Sequence, residues 1–209
     1  MKDKLFSLLE SKKDAMIAHR RYLHQHPELS FYEEKTSQYI LDFYKDKQVS
    51  VESNVGGYGI KVTIDSEKPG KTIALRADFD ALPIHEETGL PFASVNEGVM
   101  HACGHDGHTA YLMILAECLI EMKDDLVGKI VIIHQPAEEV PPGGAQAMIK
   151  DGVLEGVDHV FGIHFSGQVP LGIVEYHAGP TQAARAKFDI KVQGKGGHGA
   201  YPHQSHDSI

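Results

Sequence analysis

Two cysteines among 209 residues are too few for a disulfide framework. No apolar run approaches the ~18 residues that a membrane-spanning helix needs. The N-terminal stretch from Met1 to Met16 is charged and lacks a signal peptide's apolar centre, so a cytoplasmic protein is expected. Basic residues are the minority, 20 against 29 acidic ones, for a net charge of −9, and they form no cluster. That balance argues against nucleic acid and against a membrane surface as partners. There is no internal repeat, low-complexity tract or linker. What is present is a 42% hydrophobic content, enough for a core, and 14 histidines. Unperturbed histidine is mostly neutral at pH 7 and free to bind a metal.

The apolar pattern alternates between helical and strand periods. Leu5, Leu8, Leu9, Ala15, Ile17 and Ala18 predict an amphipathic helix over 2–23, closed by Pro27, and Tyr39, Ile40 and Phe43 a second over 33–46. Gly59–Ile64 and Thr72–Leu75 read as strands. A helix with a buried face follows Gly107, through Leu112, Leu115, Ala116 and Leu119. Then come a strand (Lys129–Ile133), a short helix (Gly144–Lys150) and a strand (His159–Ile163). Strands alternating with helices predict an α/β fold with a mainly parallel sheet flanked by helices. Leu171–Tyr176 and Ala183–Val192 also read as strands. A domain boundary is expected near residue 180, giving units 1–180 and 181–209. The second, with roughly 30 residues, is too short to hold a core of its own.

In open α/β sheets, ligands collect at the carboxyl ends of the strands. Three predicted strands run straight into metal-capable residues: Asp78 and Asp80 after the first, His134, Glu138 and Glu139 after the second, His164 after the third. The segment from Met100 to His108, with Cys103, His105 and His108, lies between the first two. Four separate segments therefore deliver Asp, Cys, His and Glu to one sheet edge.

Cys103 and His105 flank a glycine, which lets the backbone turn tightly enough for both to reach one ion. Mixed sulfur, nitrogen and oxygen donors suit Zn²⁺, Mn²⁺, Co²⁺ or Ni²⁺ better than Ca²⁺ or Mg²⁺. Of the adjacent pair Glu138 and Glu139, one can ligate while the other faces substrate as a general base. The alternative is a solvated acidic loop, against which Pro136, Pro141 and Pro142 stiffen the segment. Asp78 and Asp80 share a face and either could orient a ligating histidine, or pair with Arg76. His198 sits in a glycine-rich stretch, Gly194 to His203, that allows close approach to a ligand or a partner chain; a flexible loop is the alternative. His19, His24 and His26 read as helix-end and surface residues. His-Glu-x-x-His and Gly-x-Ser-x-Gly are absent. Gly70-Lys-Thr72 resembles the end of a phosphate loop but precedes a strand instead of following one.

The blocks His19-Arg-Arg-Tyr-Leu-His-Gln-His-Pro-Glu, Arg76-Ala-Asp-Phe-Asp, Met100-His-Ala-Cys-Gly-His-Asp-Gly-His-Thr, Gln135-Pro-Ala-Glu-Glu, Gly162-Ile-His and Gly196-Gly-His-Gly-Ala-Tyr-Pro-His follow one another in order. The sequence resembles, from about residue 15 onward, the metallo-amidohydrolases that include hippurate hydrolase, N-acyl-L-amino acid amidohydrolase, the auxin-conjugate hydrolases and N-acetyldiaminopimelate deacetylase. The resemblance implies a zinc-peptidase-like catalytic domain followed by the start of an α+β lid and dimerisation domain. It implies two divalent transition-metal ions (Zn, Mn, Co or Ni) held by Cys103, His105, Glu139 and His164. It makes Glu138 the general base, Asp80 a supporting acidic residue beside the metals, and His198 a lid histidine for the oxyanion. It implies hydrolysis of the amide bond of an N-acyl amino acid by a water that two metals activate, in a homodimer of the full-length protein. The same site could serve a carboxypeptidase or dipeptidase, and an inactive metal-binding fragment is the distant alternative. Members continue through the lid and return to the catalytic domain with a further histidine ligand, so this chain is expected to be an N-terminal portion. Position 134, commonly phenylalanine in the family, is His134.

Overall fold

The computed structural model describes residues 1–181, 183 and 188–208. They form two compact units, Met1–Ser166 and Gly167–Ile209, so the division lies earlier than the expected residue 180.

The first unit holds the α/β layer. Its N-terminal helix is two helices, α1 (Lys2–Ser11) and α2 (Lys13–Gln25), not one over 2–23. The break at Lys12 has a local and a tertiary cause. The Ser11 hydroxyl donates to the Leu8 carbonyl at 2.7 Å, a side-chain bond that competes with helix continuation. Lys12 itself reaches Glu121 at 2.7 Å and Glu117 at 3.3 Å. Helix α3 (Glu34–Tyr44) follows, then strands β1 (Ser50–Val55), β2 (Gly59–Asp65) and β3 (Thr72–Asp78). Helix α4 (His105–Glu121), β4 (Lys129–Gln135), α5 (Gly144–Lys150) and β5 (His159–Gly162) complete the unit.

The sheet is mixed, in the order β1-β2-β4-β3-β5. β3 runs parallel to β4 and β5, while β2 is antiparallel to both β4 and β1. β1 carries no sequence signal because it is a mostly exposed, polar edge strand. β4 is buried on both faces, as its apolar run requires. Ile132 packs with Ile60, Val62, Phe79, Leu112 and Met113 on the side of α3 and α4. Val131 and Ile133 pack with Ala74, Met148 and Val153 on the side of α5. Leaving β3, the chain crosses by α4 to β4 on one side, then by α5 to β5 on the other. The carboxyl end of β3 is thus a switch point, where an open α/β sheet forms a crevice.

In the second unit the expected strand Leu171–Tyr176 is not formed. Its segment pairs with no strand among the described residues, and Leu171, Val174 and Tyr176 are exposed; a lone strand has no ladder to satisfy its backbone. The expected strand 183–192 lies partly outside the described residues, and 188–192 form no strand. A bridge between Lys195 and His206 and a short 3₁₀ turn, Pro202–Gln204, are the regular features here.

Candidate metal centre

β3, β4 and β5 are parallel, so their carboxyl ends share one edge, and the N-terminus of α4 opens there too. Gly104 precedes α4 at φ +93, a left-handed conformation that favours glycine. The turn it makes sets Cys103 and His105 beside the strand ends. Three donor groups result: Cys103, His105 and His164; His105, Glu138 and Glu139; and Asp78, His105 and His108. Within each, one ligand atom per residue lies within 4.8 Å of the others. His105 is common to all three.

His105 is fully buried, and its Nδ1 is bonded to the Asp80 carbonyl at 2.9 Å and to Oδ1 at 3.0 Å. Its Nε2 has no hydrogen-bond partner among the described residues and faces Glu139 Oε1 at 3.8 Å and Asp78 Oδ2 at 3.7 Å. Burial disfavours the charged ring, but the Asp80, Asp78 and Glu139 carboxylates outweigh it and raise its pKa. Cys103 Sγ stands 3.4 Å from His164 Nε2. Burial and the Glu139 carboxylate push the Cys103 thiol up to about 12. A buried imidazole nitrogen and a thiol among excess negative charge suit a bound cation, which would turn the thiol into a thiolate ligand.

Asp80 is buried. Its Oδ2 accepts from the Ser30 hydroxyl at 2.7 Å and from the Glu139 N–H at 2.9 Å, so it ties the turn after β4 to His105. Asp78 engages Arg76 (Nη1 to Oδ2, 2.7 Å) and His108 (Nδ1 to Oδ1, 2.7 Å) together. Burial opposes ionisation, yet His108 and Arg76 hold its carboxyl down at about 2. Asp78 thus pairs with Arg76 and bonds a histidine at once, but that histidine, His108, is not one of the expected ligands. Glu138 is exposed at the rim and Glu139 half-buried below it. His198 belongs to the second unit, where it is exposed and its Nδ1 accepts from the Ala200 N–H at 3.1 Å.

Among the buried polar residues that the sequence did not reveal as buried are His24, His101 and Glu33. His24, expected at the surface, is buried between Asp106 (2.8 Å) and Glu86 (3.1 Å), because α2 packs on α4. His26 keeps the surface reading, bonded to the Tyr22 carbonyl at 2.8 Å. His101 is buried with neither ring nitrogen partnered among the described residues, and burial lowers it to about 4. Glu33 is fully buried; its Oε1 accepts the Ala137 N–H at 2.7 Å. Ala137 has φ +49, a conformation non-glycine residues seldom adopt. Its carbonyl accepts from the Gly144 N–H at 2.8 Å, so both backbone groups just before Glu138 are tied down. The only sequence signal for Glu33 is its place after the Pro27-Glu-Leu-Ser block.

Burial raises the Glu33 carboxyl to about 7. A raised carboxyl stabilises the fold fully below its unfolded value of 4.5 and loses that contribution as pH rises through about 7. Glu33→Gln keeps the acceptor for Ala137 and removes the buried charge. It is expected to raise unfolding stability above pH 7 by up to about 3 kcal/mol, with little gain at pH 5. Urea melts at the two pH values check this.

The sequence matches the peptidase family M20/M25/M40 over residues 74–208, and the chain belongs to that family. It is 45% identical over 208 residues to an N-acyl-L-amino acid amidohydrolase of Geobacillus stearothermophilus, covering 100% of this chain and 56% of that protein. It is 46% identical over 209 residues to thermostable carboxypeptidase 1 of Saccharolobus solfataricus, covering 99% of this chain and 53% of that one. A crystal structure of a Bacillus subtilis dinuclear metal binding peptidase of the M20 family superposes with a TM-score of 0.73 at 41% identity, over 77% of this chain and 45% of that chain. The chain thus spans about half the length of the curated relatives it matches. Among the described residues no helix is long and apolar enough to cross a membrane.

Proposed function

We propose that this chain carries the metal-binding part of an amidohydrolase that cleaves the amide bond of N-acyl amino acids. The observation that carries the reading is the convergence of Cys103, His105, Glu138, Glu139 and His164 around one buried, unpartnered imidazole nitrogen. In this reading Cys103, His105, Glu139 and His164 hold two divalent ions of the Zn, Mn, Co or Ni kind, with Asp80 orienting His105 and Asp78 in support. Bound there, such ions supply Lewis-acid polarisation and lower the pKa of a coordinated water towards ~7.

Glu138 takes a proton from the attacking water and passes it to the leaving amine, and the water's second proton follows it to that nitrogen, so amide plus water yields a carboxylate and an ammonium group. Its exposed position beside Glu139 and the fixed backbone of Ala137 suit that task. On the family resemblance, His198 donates to the developing oxyanion and the whole protein is a homodimer. Both cysteines are free, and a site that uses one as a thiol belongs in a reducing compartment such as the cytoplasm.

A panel of hippurate, N-acetyl amino acids and dipeptides, assayed with added metal and after chelation, tests the assignment. Metal-dependent cleavage of N-acyl substrates is expected; turnover indifferent to chelation would refute it. The 46% identity to a carboxypeptidase supports peptide hydrolysis at the same site as a second reading, which a preference for dipeptides would favour. Cys103→Ala is expected to weaken metal retention after desalting. Unchanged metal stoichiometry by elemental analysis would remove Cys103 from the ligand set.

A further inference from the structure

His164 stands at an exposed strand end, where nothing in its own β-strand geometry sets the direction of its ring. The geometry points to a positioning relay, in which His108 and Gly107 of α4 seat Phe165 and through it aim His164 at Cys103. This rests on the reading above that His164 is a metal ligand.

The relay starts from the buried Asp78, held by Arg76 and by the Thr109 hydroxyl, which donates to the Asp78 carbonyl at 2.8 Å. Asp78 Oδ1 accepts a hydrogen bond from His108 Nδ1 at 2.7 Å. That fixes the tautomer of His108 and leaves Nε2 as an acceptor. The Phe165 N–H donates to this nitrogen at 3.0 Å. The Phe165 carbonyl then accepts from His164 Nδ1 at 2.6 Å, which leaves His164 Nε2 bare of its proton and 3.4 Å from Cys103 Sγ. Both nitrogens of His108 are thereby used. It is therefore a support and not a ligand, although it stands in a donor group with Asp78 and His105.

The ring of Phe165 supplies a second, independent contact. It packs on α4 where residue 107 is glycine: a Cβ there would lie 2.2 Å from Phe165 Cε2. It also lies against the His108 ring, at 4.9 Å between centroids. Glycine is a poor helix former relative to alanine, and Gly107 stands in the first turn of α4. Here close packing accounts for it: residue 107 must be small for Phe165, and with it His164, to approach α4. The spacing Cys103-Gly-His105-Asp-Gly107-His108 then joins two tasks, ligands at 103 and 105 and the seat of a distant ligand at 107 and 108.

The test uses the intact protein loaded with Co²⁺. It reads metal affinity, the thiolate-to-cobalt absorption band, and the melting temperature in chelator. His164→Ala serves as the reference; if it leaves affinity unchanged, the ligand assignment itself fails. Given a loss there, His108→Ala and Gly107→Ala are each expected to weaken Co²⁺ affinity by about 10–100-fold, the usual effect of losing an outer support. His108→Gln, whose amide oxygen can still accept the Phe165 N–H, is expected to recover most of that loss. Adding His108→Ala to His164→Ala should weaken affinity no further. The relay is overturned if His108→Ala and Gly107→Ala bind Co²⁺ normally while His164→Ala does not. It is equally overturned if His108→Gln fails to rescue and a whole ion is lost, which would make His108 a ligand. A fall in chelator melting temperature that accounts for the affinity loss, unrescued by glutamine, would assign both residues to the fold alone. If His108→Ala does not fold, Gly107→Ala and His108→Gln still decide the matter.

Discussion

Glu138→Gln is expected to lower kcat for N-acyl amino acid hydrolysis by about 10²–10⁴-fold, the range of a general base, with metal content unchanged. Glutamine keeps the size and hydrogen-bonding reach of the side chain but cannot take a proton. The neighbouring Glu139→Gln should do the reverse, losing metal first and activity as a consequence. Adjacent carboxylates are hard to tell apart by sequence, but their surroundings in the structure differ. Glu139 is half-buried, its backbone N–H donates to Asp80, and its carboxylate faces His105. Glu138 stands at the rim. The backbone just before Glu138 is held at Ala137 by Glu33 and Gly144, independently of the Glu138 side chain. Near-normal turnover in the metal-replete variant would remove Glu138 from the chemistry. Equal metal loss in both variants would make it a ligand.

The second large effect is on stability in acid. His134 sits in β4, fully buried, and its Nε2 shares a hydrogen bond of 3.0 Å with the hydroxyl of Tyr44, itself buried. Nδ1 has no partner among the described residues, and burial pulls the ring down to about 3 from an ordinary 6.5. The folded state therefore refuses a proton that the unfolded chain accepts. The sign follows: full stability holds above pH 6.5 and is lost progressively as pH falls through about 3. The whole span is worth at most about 5 kcal/mol. The double variant Tyr44→Phe/His134→Phe replaces both partners with apolar rings of similar shape, a change that is often near neutral. It is expected to unfold at a similar urea concentration at pH 7.5 and to lose distinctly less stability than the parent between pH 6.5 and 4.5. Parallel acid profiles for parent and double variant would show that the His134 ring is not the group that titrates.

Much of the site was legible because residue identity carries its chemistry. Thiol, imidazole and carboxylate donors announce themselves, and strand ends tell where they gather. Cys103, His105, Glu138, Glu139, His164 and Asp78 fall in donor groups that share His105, whereas His134, expected at the same edge, is buried in the core against Tyr44. What was not legible has a common character. His24 looked like a helix-end residue because its partners, Asp106 and Glu86, lie 82 and 62 positions away. Glu33 drew no reading of its own at the start of the helix expected over 33–46, yet it serves a backbone group 104 positions on. The break at Lys12 goes with the Ser11 hydroxyl on the Leu8 carbonyl and with contacts to α4, not with a proline or glycine. The antiparallel setting of β2 against β4 has no signature in β2's own alternation, since an alternating strand reads the same in either direction.

The amino-acid sequence by itself determined the α/β alternation, the donor types and the strand ends that present them, because periodicity and side-chain chemistry are local properties. Tertiary structure alone decided strand direction within the sheet and which ring nitrogen of His105 is left unpartnered. It also decided which of Glu138 and Glu139 lies lower, and how Phe165 couples α4 to His164. Those depend on which distant groups packing brings within 3 Å or so of one another, the range at which a hydrogen bond distinguishes one orientation from another.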